Sequence, residues 1–182
     1  MADSLAPSLL LSMPQLQDPN FARTVVLLCE HAADGAFGLV LNRPTDVPAE
    51  QAVRIEPPIE TASDLRLWIG GPVEPQRGWI LVNEEPPGAE VRRIVDGVYL
   101  SSSPLLLRHV LENSLASRAR VLAGYAGWGP GQLDREIEQG SWILSPAAVA
   151  PVFDRQPHSL WRKLIDGALV RFARDGSSDL LH

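Results

Sequence analysis

Cys29, Glu30 and His31 are consecutive, and a thiol, a carboxylate and an imidazole together are the most reactive grouping in the chain. They end a β-rich run, Thr24 to His31, where alternation sends Cys29 and His31 to one face and Glu30 to the other. Thiol and imidazole then stand about 7 Å apart along the strand. An imidazole at that range could lower the thiol pKa and give a weakly activated nucleophile. The same spacing fits a buried small side chain beside a strand-end histidine bonded to the backbone, because free cysteine is among the most buried residue types. Glu136 with His31 is a second acid–base pairing, yet no oxyanion donor or orienting partner can be named for either set.

The segment Gly124-Tyr125-Ala126-Gly127-Trp128-Gly129-Pro130-Gly131-Gln132-Leu133 is the most distinctive stretch. It reads as a strand (Arg120 to Ala123) entering a glycine-rich turn (Gly124 to Gly131) and then a short helix (Gln132 to Gln139). Such turns cradle anions with backbone N–H groups. Here Pro130 removes a donor, no Gly-Lys-Ser/Thr follows, and Asp134, Glu136 and Glu138 make the helix acidic, which argues against a nucleotide. On that helix Gln132, Glu136 and Gln139 form a polar row, and Leu133 and Ile137 an apolar one. Tyr125 and Trp128 are of the kind that line ligand clefts, or else fill core. If the strand ends at Asn42-Arg43-Pro44 and Gly70-Gly71-Pro72 meet this turn, Arg43 pairs with Glu136 or Glu30 and floors a polar cleft. A plain surface ion pair is the alternative, and it contributes little. His31, His109, His158 and His182 are scattered without metal-ligand spacing, so no metal and no cofactor are expected.

The elements that position these residues are short. Ser8 to Met13 reads as a strand, and Phe37 to Leu41 forms a hairpin with Thr24 to His31 across a four- or five-residue loop around Asp34-Gly35. Thr45 to Arg54 can make a short helix, and Glu56 to Glu60, with Pro57-Pro58, is a surface excursion. Leu65 to Ile69 and Gly78 to Val82 read as a second hairpin, and Val91 to Leu100 turns at Asp96-Gly97. Ser103-Pro104 starts the clearest helix, running to about Ser117 with Leu107, Val110, Leu111 and Leu115 on its apolar stripe and Arg108–Glu112 as an i,i+4 pair. Trp142 to Leu144 is a last strand, followed by helical Pro146 to Phe153 and Ser159 to Leu169. Early hairpins and later helices give an α+β class with a mainly antiparallel sheet. Residues 1–175 read as one domain and 176–182 as a disordered tail.

Composition narrows the partners. The 182 residues, 45% hydrophobic, carry 16 basic groups, of which only Lys163 is a lysine, against 22 acids, for a formal charge of -6. That balance disfavours direct DNA and anionic-membrane binding. Arg155, Arg162, Lys163, Arg171 and Arg174 bias the C-terminal helices, offset by Asp154, Asp166 and Asp175, with no helix-turn-helix signature. The apolar run Leu9 to Leu11 is too short for an export signal, nothing reaches the length of a membrane span, and one cysteine excludes an internal disulfide. The expected home is the cytoplasm.

Phe21-Ala22-Arg23-Thr24-Val25 leading to Cys29-Glu30-His31, then Gly38-Leu39-Val40-Leu41-Asn42-Arg43-Pro44, Gly70-Gly71-Pro72-Val73, and Gly124 to Leu133 with Glu136-Ile137 and Trp142 resemble, in order and spacing, the YqgE/AlgH family of bacterial proteins. The resemblance spans about Ser8 to Leu169, with Asp134 where a glutamate is common. It implies one α/β domain whose bent, mostly antiparallel sheet curls into a pseudo-barrel with flanking helices. Members are labelled uncharacterised or transcriptional regulators, with no catalytic residues to carry over. The expectation is a cytoplasmic, non-enzymatic binding or regulatory protein acting through a protein or small-molecule partner. Its cleft is built from Glu30, His31, Asn42, Arg43, Gly70, Gly71, Tyr125, Trp128, Gln132 and Glu136. The alternative is an enzyme or redox protein using Cys29 with His31 or Glu136 on a small substrate.

Overall fold

Val25 to Leu28 offers no polar residue to a solvated face, and the strand it forms is buried on both sides. Val25 and Leu27 enter one apolar cluster, Val26 and Leu28 another. The structure, a computed structural model, describes residues 3–59, 64–113 and 116–179. In chain order the elements are β1 (Ser8–Ser12), β2 (Val25–Ala32), β3 (Gly35–Val40), β4 (Pro44–Pro48), α1 (Ala49–Ala52), β5 (Arg66–Ile69), β6 (Val73–Val82), β7 (Arg92–Val95), β8 (Val98–Ser101), α2 (Pro104–Asn113), β9 (Ala119–Trp128), α3 (Gln132–Glu138), β10 (Trp142–Ser145), α4 (Val149–Val152) and α5 (Pro157–Asp179). The sheet runs β10-β1-β2-β3-β9-β6-β8-β7, with β5 joining β4 to β9. Every pairing is antiparallel except β5 with β9.

The sheet curls. β7 closes the strand order at the end far from β2, yet Arg92 of β7 donates from Nη2 to the Cys29 carbonyl at 3.0 Å and pairs with the Glu30 carboxylate. The resulting half-barrel encloses one core, with side chains from β1, β2, β3, β5, β6, β7, β8 and β9. Val152, Phe153, Leu160, Trp161 and Ile165 of the α4–α5 region are buried in the same cluster. On the outside, α1 and α2 cover β6 and β9 through Ala49, Leu106, Val110 and Leu111, while Leu133 of α3 packs with Trp128 and Trp142. This is a single α+β domain with a curled antiparallel sheet and flanking helices. No helix among the described residues is long and apolar enough to cross a membrane.

Several expectations give way to longer-range geometry. Leu65 to Ile69 and Gly78 to Val82 do not form a hairpin. β5 lies parallel along one side of β9 and β6 antiparallel along the other, so the chain must cross over β9 between them. It crosses at Gly70-Gly71. A Cβ on Gly71 would stand 2.1 Å from the Tyr125 carbonyl carbon, one on Gly70 2.4 Å from the Gly124 oxygen, and one on Gly124 2.3 Å from the Gly71 oxygen. Absence of side chains is what lets the two backbones touch. For the same reason the glycine-rich segment is mostly strand: β9 continues to Trp128, and only Gly129 to Gly131 turns.

Smaller differences are local. The loop between β2 and β3 has two residues, since Ala32 pairs with Gly35. Pro44–Pro48 pairs with β5, leaving a four-residue α1 from the helix expected over Thr45 to Arg54. The helical stretch Pro146 to Phe153 shrinks to Val149–Val152. α2 keeps the expected Ser103 cap, whose Oγ accepts from the Leu106 N–H at 3.4 Å, and the Arg108–Glu112 pair at 2.9 Å. Leu115, placed on its stripe, lies outside the described residues. α5 extends to Asp179 through part of the stretch expected as a tail, and 180–182 lie outside the described residues.

Candidate functional site

The ladder between β2 and β3 slips between Leu28 and Glu30, which makes Cys29 the extra residue of a β-bulge. The bulge undoes the alternation on which a Cys29–His31 pairing depends. Cys29 joins Leu27 in the half-barrel core. Glu30 pairs across with Phe37, which packs on that same core, and His31 pairs with Ala36, which packs on the α3 side. Thiol and imidazole therefore face opposite sides of the sheet, a correction to the sequence reading. The guanidinium of Arg92 takes the Cys29 carbonyl.

Cys29 is 4% exposed, and burial pushes its thiol from the ordinary 9.0 up to about 12, with Arg92 opposing and Glu30 adding to the shift. The unfolded chain then releases this proton at lower pH than the native protein. Its contribution to stability is intact below about pH 9 and is lost as pH rises toward 12. Urea unfolding between pH 8 and 11 should show stability falling more steeply in wild type than in Cys29→Ala. Equal slopes would contradict this burial. Thiol reagents at neutral pH should modify Cys29 only as fast as the protein opens.

On the concave side of the bulge a groove of about 810 Å³ opens between β3, β6, β7, β9 and the start of α2. Its floor is aromatic. Phe37 lies 4.9 Å from Trp79 and 5.1 Å from Tyr125 between ring centroids, and Trp79 meets Tyr125 edge-on at 6.1 Å. All three are half-buried, with one side packed on the core and one facing the groove. Arg77 covers Trp79 at 4.4 Å, placed there because i,i+2 residues of a strand share a face.

The charges around this floor are nearly all paired. Arg92 holds Glu30, and Arg77 stands 3.7 Å from Glu74. The nearby Glu74 carboxylate, through its hydrogen-bonding influence first, then burial and its charge, raises the Tyr125 pKa. Glu74 itself sits at φ +46°, a left-handed conformation that costs a non-glycine residue energy, where β6 breaks register with β9. At the α2 end, Ser101 donates to the Glu90 carbonyl and accepts from the Ser103 N–H, so two of the three serines are occupied in building the helix start. Ser102 is exposed. Among the described residues no group of three or more His, Cys, Asp or Glu is placed to hold a metal ion.

An AlgH-like family model matches residues 9–172. The chain belongs to the AlgH-like family. The family reading agrees with UPF0301 proteins of Methylococcus capsulatus, 38% identical over 91% of this chain and 89% of the relative, and of Myxococcus xanthus, 40% identical over 90% and 91%. Among solved structures, the AlgH protein of Pseudomonas aeruginosa superposes with a TM-score of 0.76 at 29% identity, covering 93% of this chain and 90% of its own. A protein from Corynebacterium diphtheriae superposes with a TM-score of 0.66 at 25% identity, over 90% and 86%.

The residues that carry the family resemblance do not meet in one cleft. Arg43 reaches neither Glu136 nor Glu30, because its guanidinium donates to the carbonyls of Pro19 at 2.8 Å and Ala22 at 3.1 Å. Asn42 accepts from the Val25 N–H and donates to the Arg23 carbonyl, so the pair pins the 18–24 loop to the end of β3. That loop delivers Phe21 between Trp128 (6.3 Å, stacked) and Trp142 (5.6 Å, edge-on). Trp128, 6% exposed, is core. Glu136 accepts from the Trp142 indole N–H and from Gln132, whose Oε1 accepts from the Gly129 N–H. His31 bridges the N-terminal segment to α3: its Nδ1 accepts from the Leu5 N–H at 3.0 Å, so Nε2 carries the proton facing Asp134 at 3.2 Å. Gly70 and Gly71 make the crossing over β9. Of the expected set, Glu30 and Tyr125 line the groove.

Phe37, Arg77, Trp79 and Arg92 complete it, and sequence reading passed over them. Arg77-Gly78-Trp79 did carry a signal, an arginine and a tryptophan two apart on a strand with no side chain between them.

Proposed function

We propose that this protein is a cytoplasmic, non-enzymatic binding or regulatory protein whose ligand lies in the groove over Phe37, Trp79 and Tyr125. The observation that carries the reading is that open aromatic floor inside a ring of paired charges. A flat apolar group stacks on such a floor, and polar substituents reach Arg77, Arg92 and the Ser102 hydroxyl. The ligand is a small molecule or a peptide segment bearing an aromatic or conjugated group, roughly neutral overall because the groove's charges already balance. Regulation of gene expression, the role with which AlgH resemblance is associated, acts here through that ligand or a protein partner. Direct contact with DNA is disfavoured by a net charge of -6 and a pI near 5.2.

The test is a thermal-shift and titration screen with nucleosides, flat aromatic acids and aromatic tetrapeptides, repeated with Trp79→Ala and Arg77→Ala. Loss of a stacking partner should weaken a hit by about tenfold or more. Unchanged affinity in both variants would remove the groove as the site. In the same preparation a gel-shift at physiological salt should show no DNA retention.

A further inference from the structure

Among the described residues, Arg120 is the one buried charge. It lies on β9 at 4% exposure, its guanidinium 4.4 Å over the Trp68 ring and 5.9 Å from Phe153. Its hydrogen bonds go to main-chain carbonyls: Nη1 to Ala116 and Ala119, Nη2 to Asp154 at 2.7 Å. The Nε–H has no acceptor, and among the described residues no carboxylate comes within ion-pair distance of the guanidinium. A cation removed from water without a direct ion-pair partner is stabilised by an anion that can reach it.

The surroundings point to where one would enter. Arg120 lines a pocket of about 260 Å³ with Arg66 of β5 and with Arg155 and Pro157 at the start of α5. Arg66 and Arg155 are exposed and, among the described residues, form no ion pair. Both act on Arg120 as like charges, while the Asp154 carboxylate acts on it as an opposite one from beyond ion-pair distance. α5 is long, and its first turn presents the positive end of its dipole to the pocket. Two carboxylates also border the space, each engaged by a backbone N–H: Asp64 with Ala116 at 3.5 Å and Asp154 with Gln156 at 2.6 Å. Among the described residues lining the pocket, three guanidinia against two carboxylates leave an excess of positive charge. None of these residues lines the aromatic groove.

We propose that this pocket binds a phosphate oxyanion, with Arg120 as the buried anchor and Arg66 and Arg155 as the outer clamp. Guanidinium forks match phosphate oxygens in pairs, which suits a site whose cations are all arginines. The ligand is inorganic phosphate or the phosphate of a small monoester. Two of the three arginines are exposed, so they can be changed without touching the core.

The experiment titrates inorganic phosphate into wild type and into the Arg66→Gln, Arg155→Gln double variant at constant ionic strength. It follows the thermal midpoint and the Arg120 Nε–H signal in nitrogen-15 spectra. Phosphate strengthens folding non-specifically as well, and the double variant retains that effect. Wild type should gain about 3 °C or more beyond the double variant at saturation, with a saturable shift of the Arg120 signal. Equal gains in both proteins, or an Arg120 signal that does not move, overturns the proposal. A parallel titration with methyl phosphate separates the sources: tighter binding of the ester identifies a phosphorylated metabolite, and tighter binding of the free ion identifies phosphate itself.

Discussion

Gly71→Ala should destabilise the protein by about 4 kcal/mol or more, enough to leave a marginally stable domain largely unfolded. The added Cβ would stand 2.1 Å from the carbonyl carbon of Tyr125 and 2.5 Å from the Ala126 nitrogen. Both are backbone atoms of a central strand and cannot move aside as a flexible side chain would. Gly71 also sits at φ +154°, where an L side chain is strained even in open space. Gly78→Ala is the matched control. It lies on the same strand system with nothing within 4 Å of a built Cβ, and should change stability by about 0.5 kcal/mol or less. Urea unfolding of the two variants side by side measures the difference. Similar midpoints would mean that the β5–β6 connection does not cross β9 as described.

Trp128→Ala should cost about 3–5 kcal/mol with an unchanged denaturant slope, because it empties the centre of the Phe21–Trp128–Trp142 cluster rather than a cleft. Leu133 and the 18–24 loop lose their packing partner at the same time. Trp79→Ala removes a half-buried ring and should cost less than about 2 kcal/mol. The ordering separates two roles for tryptophan in one fold, one structural and one facing ligand. Were Trp128 a cleft residue, as its glycine-rich neighbourhood suggests, the ordering would reverse.

What could be read from sequence was what local periodicity encodes. The doubly buried β2, the capped α2 with its Arg108–Glu112 pair, and the Asp96-Gly97 turn between β7 and β8 follow from neighbours within a few residues. The family resemblance supplied the curled sheet. What escaped reading depended on segments far apart in the chain. Gly70-Gly71-Pro72 and Gly124-Tyr125-Ala126-Gly127 each look like turns alone, and only their mutual contact makes them a crossing. The bulge at Cys29 is equally silent, since Leu28-Cys29-Glu30 carries no glycine or proline to mark it, yet it reverses the face on which His31 lies. Charged partners were the least legible. Arg43 pairs with neither Glu136 nor Glu30 because loop carbonyls take its guanidinium, and Arg92, absent from every motif, holds both Glu30 and the bulge.

The groove over Phe37, Trp79 and Tyr125 is the centre of this account. The most direct measurement is a nitrogen-15 correlation spectrum that resolves the five tryptophan indole signals, recorded while screening hits are added. A ligand bound in the groove should move the Trp79 indole and leave those of Trp128 and Trp142 in place. Ligands that bind with the Trp79 signal fixed, while residues elsewhere shift, would contradict it.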